Sequence, residues 1–330
     1  MTEPRESAGV PTLLRAMAWQ DGQLRSLATV DEVRAAYASP GATVWVDVED
    51  TDAATLGELA SCFGLHPLIV EDILERNQRS KIERTGDVLH IVAFALAYDG
   101  ELDHTEIDFV LGSRFLLTAH DRTWRPTEMT RVRRDAATYL AGGADFMLWA
   151  LVDELVDSYF PVFDRVGDEI EQLQDDVIAR PSRWVVERLF QTRRDLLTIR
   201  HAITPQREIF NQLTNREQPL IAPERLLYFR DVYDHLIRLT DELDSYRELV
   251  STTLDAYLST INNNLSDIMK RLTGVTVVLA GIGAAAGIFG MSEAGAAIAD
   301  TELTGFWLIT AGIVLGAAAA AWLLHRIGWI

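Results

Sequence analysis

The chain has 330 residues and a formal net charge of −19, from 49 acidic and 30 basic residues. This charge argues against nucleic-acid binding, because phosphate contacts require clustered Lys and Arg side chains. A single cysteine, Cys62, excludes an internal disulfide framework and fits a reducing compartment. An acidic field of this size attracts cations, although an ordinary soluble surface can also be acidic.

The first 143 residues are predicted to form a cytosolic α/β domain. Stretches rich in β-branched and aromatic residues predict strands at 43–48, 88–98 and 107–120. Apolar residues at helical spacing predict a helix over 54–65. His66-Pro67 is expected to break this helix, because the residue before a proline is pushed out of the helical region.

Helical periodicity dominates the chain from residue 144 onwards. We assign 144–223 to a cytosolic helical region, with helices over 145–180 and 182–215, the first of them broken or bent at Pro161. After a turn that contains two prolines, residues 224–291 are expected to form one proline-free stalk helix. Such a helix is roughly 100 Å long at about 1.5 Å per residue, far longer than a small domain.

Apolar residues recur along the stalk helix at spacings of three and four. This pattern is typical of a helix that packs lengthwise on partners. Together with the glycines at its apolar end, it predicts a homo-oligomer with this helix near the axis. The seam consists of Leu236, Leu239, Leu243, Tyr246, Val250, Leu254, Tyr257, Ile261, Leu265, Ile268 and Leu272.

Two apolar runs of 20 residues, 272–291 and 305–324, predict transmembrane helices, because a helix of that length covers the hydrocarbon core. The alternative is a pair of buried helices in a large soluble core. Lys and Arg flank both runs but are absent from the intervening external loop, 292–304. The positive-inside rule therefore places the N-terminal body and the tail, 325–330, in the cytoplasm.

Seven motifs occur in a fixed order from about residue 43 to the C-terminal end. They are WVD (45–47), FGLHPLIVEDIL (63–74), KIE (81–83), FLLTAH (115–120), YFRDVYDH (228–235), IMKRLT (268–273) and GIFGMS (287–292). In this combination and order they resemble the CorA family of divalent-cation transporters.

The resemblance implies a funnel-shaped homopentamer in the inner cell membrane, with both termini in the cytoplasm. It implies passive conduction of hydrated Mg²⁺, often with Co²⁺ and Ni²⁺, into the cytoplasm, and closure when cytosolic Mg²⁺ binds between subunits. The expected partners are divalent metal ions, the lipid bilayer and further copies of the chain. We expect no organic cofactor, no nucleic acid and no enzymatic activity, since the sequence has neither a phosphate loop nor an HExxH motif.

A pore for hydrated Mg²⁺ requires rings of carbonyl or hydroxyl oxygens, because Mg²⁺ gives up its water reluctantly. Hydroxyl side chains have an alternative role, since they also form hydrogen bonds within helices. The candidate pore-lining residues are the polar Asp255, Asn262, Ser266, Thr273 and Thr276 and the apolar Met269, Leu272 and Ala280.

The resemblance also implies four regulatory acids between subunits, namely Glu71, Asp72, Asp153 and Asp231. Carboxylates crowded at an interface repel one another until a divalent cation bridges them, so an ion would stabilise the closed assembly. The alternative for each of them is a solvated surface charge.

The predicted pore mouth departs from the family pattern of Gly-Met-Asn, because the chain has Gly290-Met291-Ser292. Serine offers a short hydroxyl in place of the longer amide carbonyl of asparagine. Ser266 also stands where the family commonly has asparagine, and the external loop carries Glu293 without the aromatic residue that usually precedes the acid.

Two functions remain open on these grounds. The first is a cation channel of altered selectivity or affinity. The second is a divergent relative, either a zinc or proton-coupled transporter of the same superfamily or a membrane-anchored sensor that does not conduct.

Overall fold

One mixed β-sheet organises the N-terminal part of the chain. The computed structural model describes residues 12–215, 218–290 and 302–329. Within them the strands are β1 (Leu13–Gln20), β2 (Gln23–Leu27), β3 (Thr43–Glu49), β4 (Lys81–Thr85), β5 (Val88–Tyr98), β6 (Leu102–Leu111) and β7 (Phe115–His120). The sheet order is β2-β1-β3-β7-β6-β5-β4, with β3 and β7 parallel and the other neighbours antiparallel.

Helices flank this sheet and form most of the remaining described chain. Two 3-10 turns, Pro126–Glu128 and Pro223–Arg225, precede the fourth and the eighth helix. The helices are α1 (Val30–Ala38), α2 (Ala53–Phe63), α3 (Pro67–Glu75), α4 (Thr130–Gly142), α5 (Ala144–Asp157), α6 (Tyr159–Ala179), α7 (Arg183–Asn215), α8 (Leu226–Gly290) and α9 (Glu302–Arg326).

The hydrophobic core lies between the sheet and the first three helices. Val33 of α1, Leu56 of α2 and Ile73 of α3 pack with Val46 and Leu117, which point to the same side of β3 and β7. Helices α4 and α5 also contact the sheet, at β1, β3, β6 and β7. Since α5 is buried along much of its length, two of its acids, Asp145 and Asp153, are held inside the protein.

The predicted α/β domain, long helix and pair of apolar C-terminal helices are confirmed. The break after α2 was assigned to the wrong residues, however. α2 ends at Phe63 because Gly64 adopts a left-handed conformation (φ 69°), which glycine tolerates without a Cβ penalty. His66 instead caps α3, and Pro67 is its first residue.

The bend predicted at Pro161 also lies elsewhere. α5 ends at Asp157, Ser158 is the cap, and α6 begins at Tyr159. Pro161 is therefore the third residue of α6, where the backbone N–H has no partner within the helix in any case. The chain breaks its helix before the proline rather than at it.

The chain divides into two compact units. One comprises residues 1–174 and 187–251, and the other comprises 175–186 and 252–330. The first unit contains the sheet. The second contains the C-terminal part of α8 together with α9. Among the described residues, two helices are long and apolar enough to cross a membrane. One lies within Pro223–Ile288 and the other over Trp307–Arg326. The most apolar part of each is 6% and 0% buried within the single chain, respectively.

A buried polar chain links β3 to β7 in the first unit. Trp45 Nε1 donates to Thr118 Oγ1 (3.1 Å), and the Thr118 hydroxyl donates to Asp47 Oδ1 (2.6 Å). His120 Nε2 lies 2.9 Å from the same Asp47 oxygen, and its Nδ1 faces the carbonyl of Asp121. Both ring nitrogens thus face acceptors, so the doubly protonated imidazolium satisfies them best.

Burial alone would lower the pKa of His120, but the hydrogen bond and charge of Asp47 outweigh it, so the pKa is raised above 6.5. Both side chains are at most 2% exposed. A raised histidine pKa stabilises the fold fully below about pH 6.5 and loses this contribution as the pH rises through the folded pKa.

We therefore predict that His120→Gln destabilises the protein by about 3–5 kcal/mol near pH 6, because it leaves a buried carboxylate without its counter-charge. The difference in unfolding free energy between the variant and the wild type should become smaller as the pH rises. Thermal unfolding of the full chain in detergent from pH 6 to 9 measures it. His104→Gln, at an exposed histidine, is the control, and a difference that does not vary with pH would contradict the charged pair.

Candidate cation sites

Three side chains that can ligate a metal meet between α5 and α8. Asp153 lies on α5, and Asp231 and His235 lie one turn apart on α8. One potential ligand atom of each lies within 4.8 Å of the other two. We refer to these three residues as the Asp-Asp-His cluster. The structure thus brings together two of the four predicted regulatory acids and adds a histidine.

Asp153 carries the least solvated charge of the cluster. Its side chain is 2% exposed, and Oδ2 lies 2.5 Å from an Nη atom of Arg131. The angle between the two groups is poor, so this oxygen makes no hydrogen bond to the described residues. Burial raises the pKa of Asp153 to about 6; Arg131 and His235 lower it, and the charges of Asp157 and Asp231 raise it.

Arg131 is positioned by the start of α4. Glu154 of α5 accepts hydrogen bonds from the backbone N–H groups of Thr130 (2.5 Å) and Arg131 (3.0 Å), which caps the helix. The guanidinium lies 5.3 Å from the ring centre of Trp149 and therefore stacks on it. These contacts hold a cationic side chain against Asp153.

His235 is half-buried beside the same acids. Its Nδ1 lies 3.2 Å from Asp157 Oδ1, without the angle of a hydrogen bond to any described residue. The ring meets Phe160 edge to face, with 5.5 Å between ring centres. These neighbours orient the imidazole beside Asp231.

The two predicted acids on α3 are not part of this cluster within the single chain. Glu71 is exposed. Asp72 is partly buried and forms an ion pair with Lys81 at 2.7 Å. Burial alone would lower the pKa of Lys81, but the hydrogen bond and charge of Asp72 raise it. Their approach to Asp153 and Asp231 across subunits stays a prediction.

All eight predicted pore-lining residues are exposed on α8, from Asp255 to Ala280. At about 100° per residue, seven of them fall within an arc of roughly 80°, and Leu272 lies outside it. The Thr276 hydroxyl donates to the Leu272 carbonyl at 2.7 Å, which is the alternative role foreseen for these side chains. The hydroxyl oxygen can still accept a further hydrogen bond while it donates to the backbone.

The predicted pore mouth is only partly described. Gly290 is the last residue of α8. Met291, Ser292 and Glu293 lie outside the described residues.

Sequence reasoning missed His235 and Arg131. His235 had a detectable signal, because it follows Asp231 by four residues and therefore shares its helix face. Arg131 had none, since its approach to Asp153 depends on how α4 packs against α5.

Comparisons with known proteins identify the family of the chain. Residues 40–326 match the family model described as CorA-like Mg²⁺ transporter protein. The chain is 36% identical over 236 residues to the cobalt/magnesium transport protein CorA of Thermotoga maritima, covering 70% of this chain and 67% of that protein. It is 25% identical over 194 residues to the zinc transport protein ZntB of Cronobacter sakazakii, covering 58% of each.

The fold also matches a solved structure. The complete CorA magnesium transporter from Methanocaldococcus jannaschii superposes with a TM-score of 0.81 at 23% identity, covering 98% of this chain and 100% of that one. Since the family model spans most of the sequence and the Thermotoga relative exceeds 30% identity, the chain belongs to the CorA family of divalent-cation transporters.

Proposed function

We propose that the chain forms a channel that conducts Mg²⁺, and also Co²⁺ or Ni²⁺, into the cytoplasm through a pore lined by α8. The observation that carries this proposal concerns the polar residues of the arc on α8, which we call the polar arc: Asp255, Asn262, Ser266, Thr273 and Thr276. They are exposed in the single chain, and α8 continues into an apolar segment long enough to span a membrane. Oxygen-bearing side chains at successive turns of one helix become rings when several copies surround an axis. Such rings suit an ion that keeps its hydration shell.

Self-association is supported by the way the α8 seam is covered. Its first part is buried within the chain, with Leu236, Leu239 and Leu243 at 0% exposure. Its last part is bare, with Leu265 and Ile268 at 55% and 61%. Because a seam of this kind requires a helix on its other side, we infer a homo-oligomer, and family membership favours a funnel-shaped pentamer.

The membrane segment gives the same indication. Among the described residues, no atom outside the adjacent backbone of α8 lies within 4 Å of the position that a Cβ would occupy at Gly281, Gly283 or Gly287. The described part of the chain therefore does not require glycine there, whereas close packing against a neighbouring helix favours it. The basic residues flanking the spans favour the inner membrane with both termini in the cytoplasm.

Closure by cytosolic cations is supported by the Asp-Asp-His cluster. Asp153 and Asp231 are close enough to share one ion. Glu71 and Asp72 of a neighbouring copy would complete the set of oxygen ligands. Filling this site would stabilise the closed assembly, since the ion relieves repulsion between the carboxylates.

A zinc or proton-coupled transporter is the second candidate. The similarity to a zinc transport protein favours it, as does the departure from Gly-Met-Asn at Ser292. A sensor that does not conduct would retain the cation cluster and lack flux.

The transport proposal predicts uptake of Mg²⁺ by liposomes that contain the protein, driven by an inside-negative potential. Ser292→Asn should raise this flux several-fold, because the amide carbonyl extends further towards the ion. Ser245→Asn is the control, since Ser245 is exposed on α8 and donates to the Asp241 carbonyl. Absence of flux for Mg²⁺, Co²⁺, Ni²⁺ and Zn²⁺ alike would favour the sensor, and Zn²⁺ uptake that depends on a pH gradient would favour the coupled transporter.

The closure proposal predicts that Asp231→Ala weakens the protection by Mg²⁺ against proteolysis. The Mg²⁺ concentration that gives half-maximal protection should rise about 10–100-fold, which is the usual effect of losing one supporting group at a metal site. Asp244→Ala is the matched control on α8, because Asp244 is exposed and pairs with Arg247. An unchanged midpoint in Asp231→Ala would remove this residue from the sensing site.

A further inference from the structure

A polar cleft lies at the C-terminal end of α3, beside β5 and β6. Its volume is about 370 Å³, within the usual range of small-molecule sites. It shares no residue with the Asp-Asp-His cluster. The residues that line it include Arg76, Gln78, Phe94, His104, Glu106 and Asp121.

Glu106 of β6 carries a poorly compensated charge in this cleft. Its Oε2 accepts a hydrogen bond from the backbone N–H of Gln78 (3.0 Å). Its Oε1 is buried and has no hydrogen-bond partner among the described residues. Burial, together with the charge of Asp108, raises the pKa of Glu106 to about 7. The ionised carboxylate therefore lacks a donor that would stabilise it.

Arg76 is the nearest candidate for a counter-charge, but its hydrogen bonds lie elsewhere. At the C-cap of α3 it adopts a left-handed backbone (φ 45°), which is uncommon for a residue with a Cβ. Its guanidinium donates to Asp50 (3.3 Å) and to the carbonyl of His120 (3.1 Å). It lowers the pKa of Glu106 less than burial and Asp108 raise it. Within the described chain, no Lys or Arg side chain forms an ion pair with Glu106.

The walls of the cleft indicate which kind of cation suits it. Phe94 and His104 lie side by side, with 5.8 Å between ring centres. An aromatic face attracts an ammonium group and also covers methylene groups. Asp121, whose Oδ1 is held by the backbone N–H and hydroxyl of Thr123, supplies a second carboxylate. An ammonium group has three donors on one nitrogen and therefore suits several separate acceptors, whereas a planar guanidinium favours a fork of two.

We propose that this cleft binds a small primary alkylamine, with its ammonium group at Glu106 and Asp121 and its alkyl chain along Phe94. The carboxylate of Glu106 can turn Oε1 towards the amine, because the terminal torsion of a glutamate side chain is soft. A cleft of this volume accommodates a chain of a few methylene groups. The amine stabilises the folded chain, since it pairs with a charge that is otherwise uncompensated.

The test is thermal unfolding and calorimetric titration of the full chain in detergent, with 1,4-diaminobutane as the probe and Mg²⁺ held constant. We expect the Tm of the wild type to rise with the concentration of the amine. Glu106→Gln should raise the Tm without amine, because it removes a half-buried charge, and should weaken amine binding at least about tenfold. Glu101→Gln removes an exposed charge between β5 and β6, so this matched control should bind the amine as the wild type does.

Phe94→Leu tests the aromatic wall separately from the charge. Leucine keeps an apolar surface but offers no ring to the ammonium group, so the Kd should rise about two- to fivefold, the scale of an exposed cation–π contact. An unchanged Kd would remove the ring from the proposed site. Circular dichroism of each variant verifies that it folds.

Asp231→Ala separates the cleft from the Asp-Asp-His cluster. Because Asp231 does not line the cleft, this variant should bind the amine as the wild type does. Loss of binding in Asp231→Ala would place the amine at the cluster, and binding that Glu106→Gln retains would place it at neither site. Either result, or a wild type whose Tm does not respond to the amine, overturns the proposal. So does competitive displacement by Mg²⁺ in Asp231→Ala, which would make the cleft a metal site.

Discussion

The structure depends on one helix that its own chain covers only in part. Early in α8, apolar residues such as Leu239 and Leu243 are buried against neighbouring elements. Beyond residue 252 the same seam is bare, and the helix continues into an apolar stretch of which almost none is buried. Burying such surface is worth about 25 cal/mol per Å², so a helix of this composition is most stable where apolar material covers it. Lipid would cover the membrane-length part, and the proposed self-association would cover the exposed seam.

The buried carboxylate of Asp153 imposes a second constraint. A charge in that position costs several kcal/mol unless it is paired, and here Arg131 compensates it incompletely, through a close contact with poor hydrogen-bond geometry. The neighbouring Asp157 and Asp231 raise its pKa further. A site that is short of positive charge binds a cation readily. Because the three side chains come from two different helices, an ion bound there, as proposed, would couple the positions of α5 and α8.

Much of the fold could be predicted because its signals are local. Strands β3, β5 and β7 are mostly apolar and contain β-branched and aromatic residues, and α8 lacks proline over its whole length. Helix ends were harder to predict from the sequence, since the left-handed backbone of Gly64 ends α2 whereas the nearby His66-Pro67 gave the more obvious signal. In the Asp-Asp-His cluster, Asp153 and Asp231 were identified by resemblance to the family. The place of Arg131 beside Asp153 was not predictable, because it depends on the packing of α4 against α5.

The polar arc and the Asp-Asp-His cluster make different demands on a cation. The polar residues of the arc, Asn262, Thr273 and Thr276 among them, offer mainly oxygen atoms, with Met269 and Ala280 between them, and in Thr276 the hydroxyl proton is already donated to the helix backbone. Such a surface interacts with an ion through its water and discriminates little between divalent ions of similar size. The cluster adds an imidazole, which discriminates by bond type. Under the proposed function, an ion would pass the arc within its water shell, whereas an ion at the cluster would contact the side chains directly.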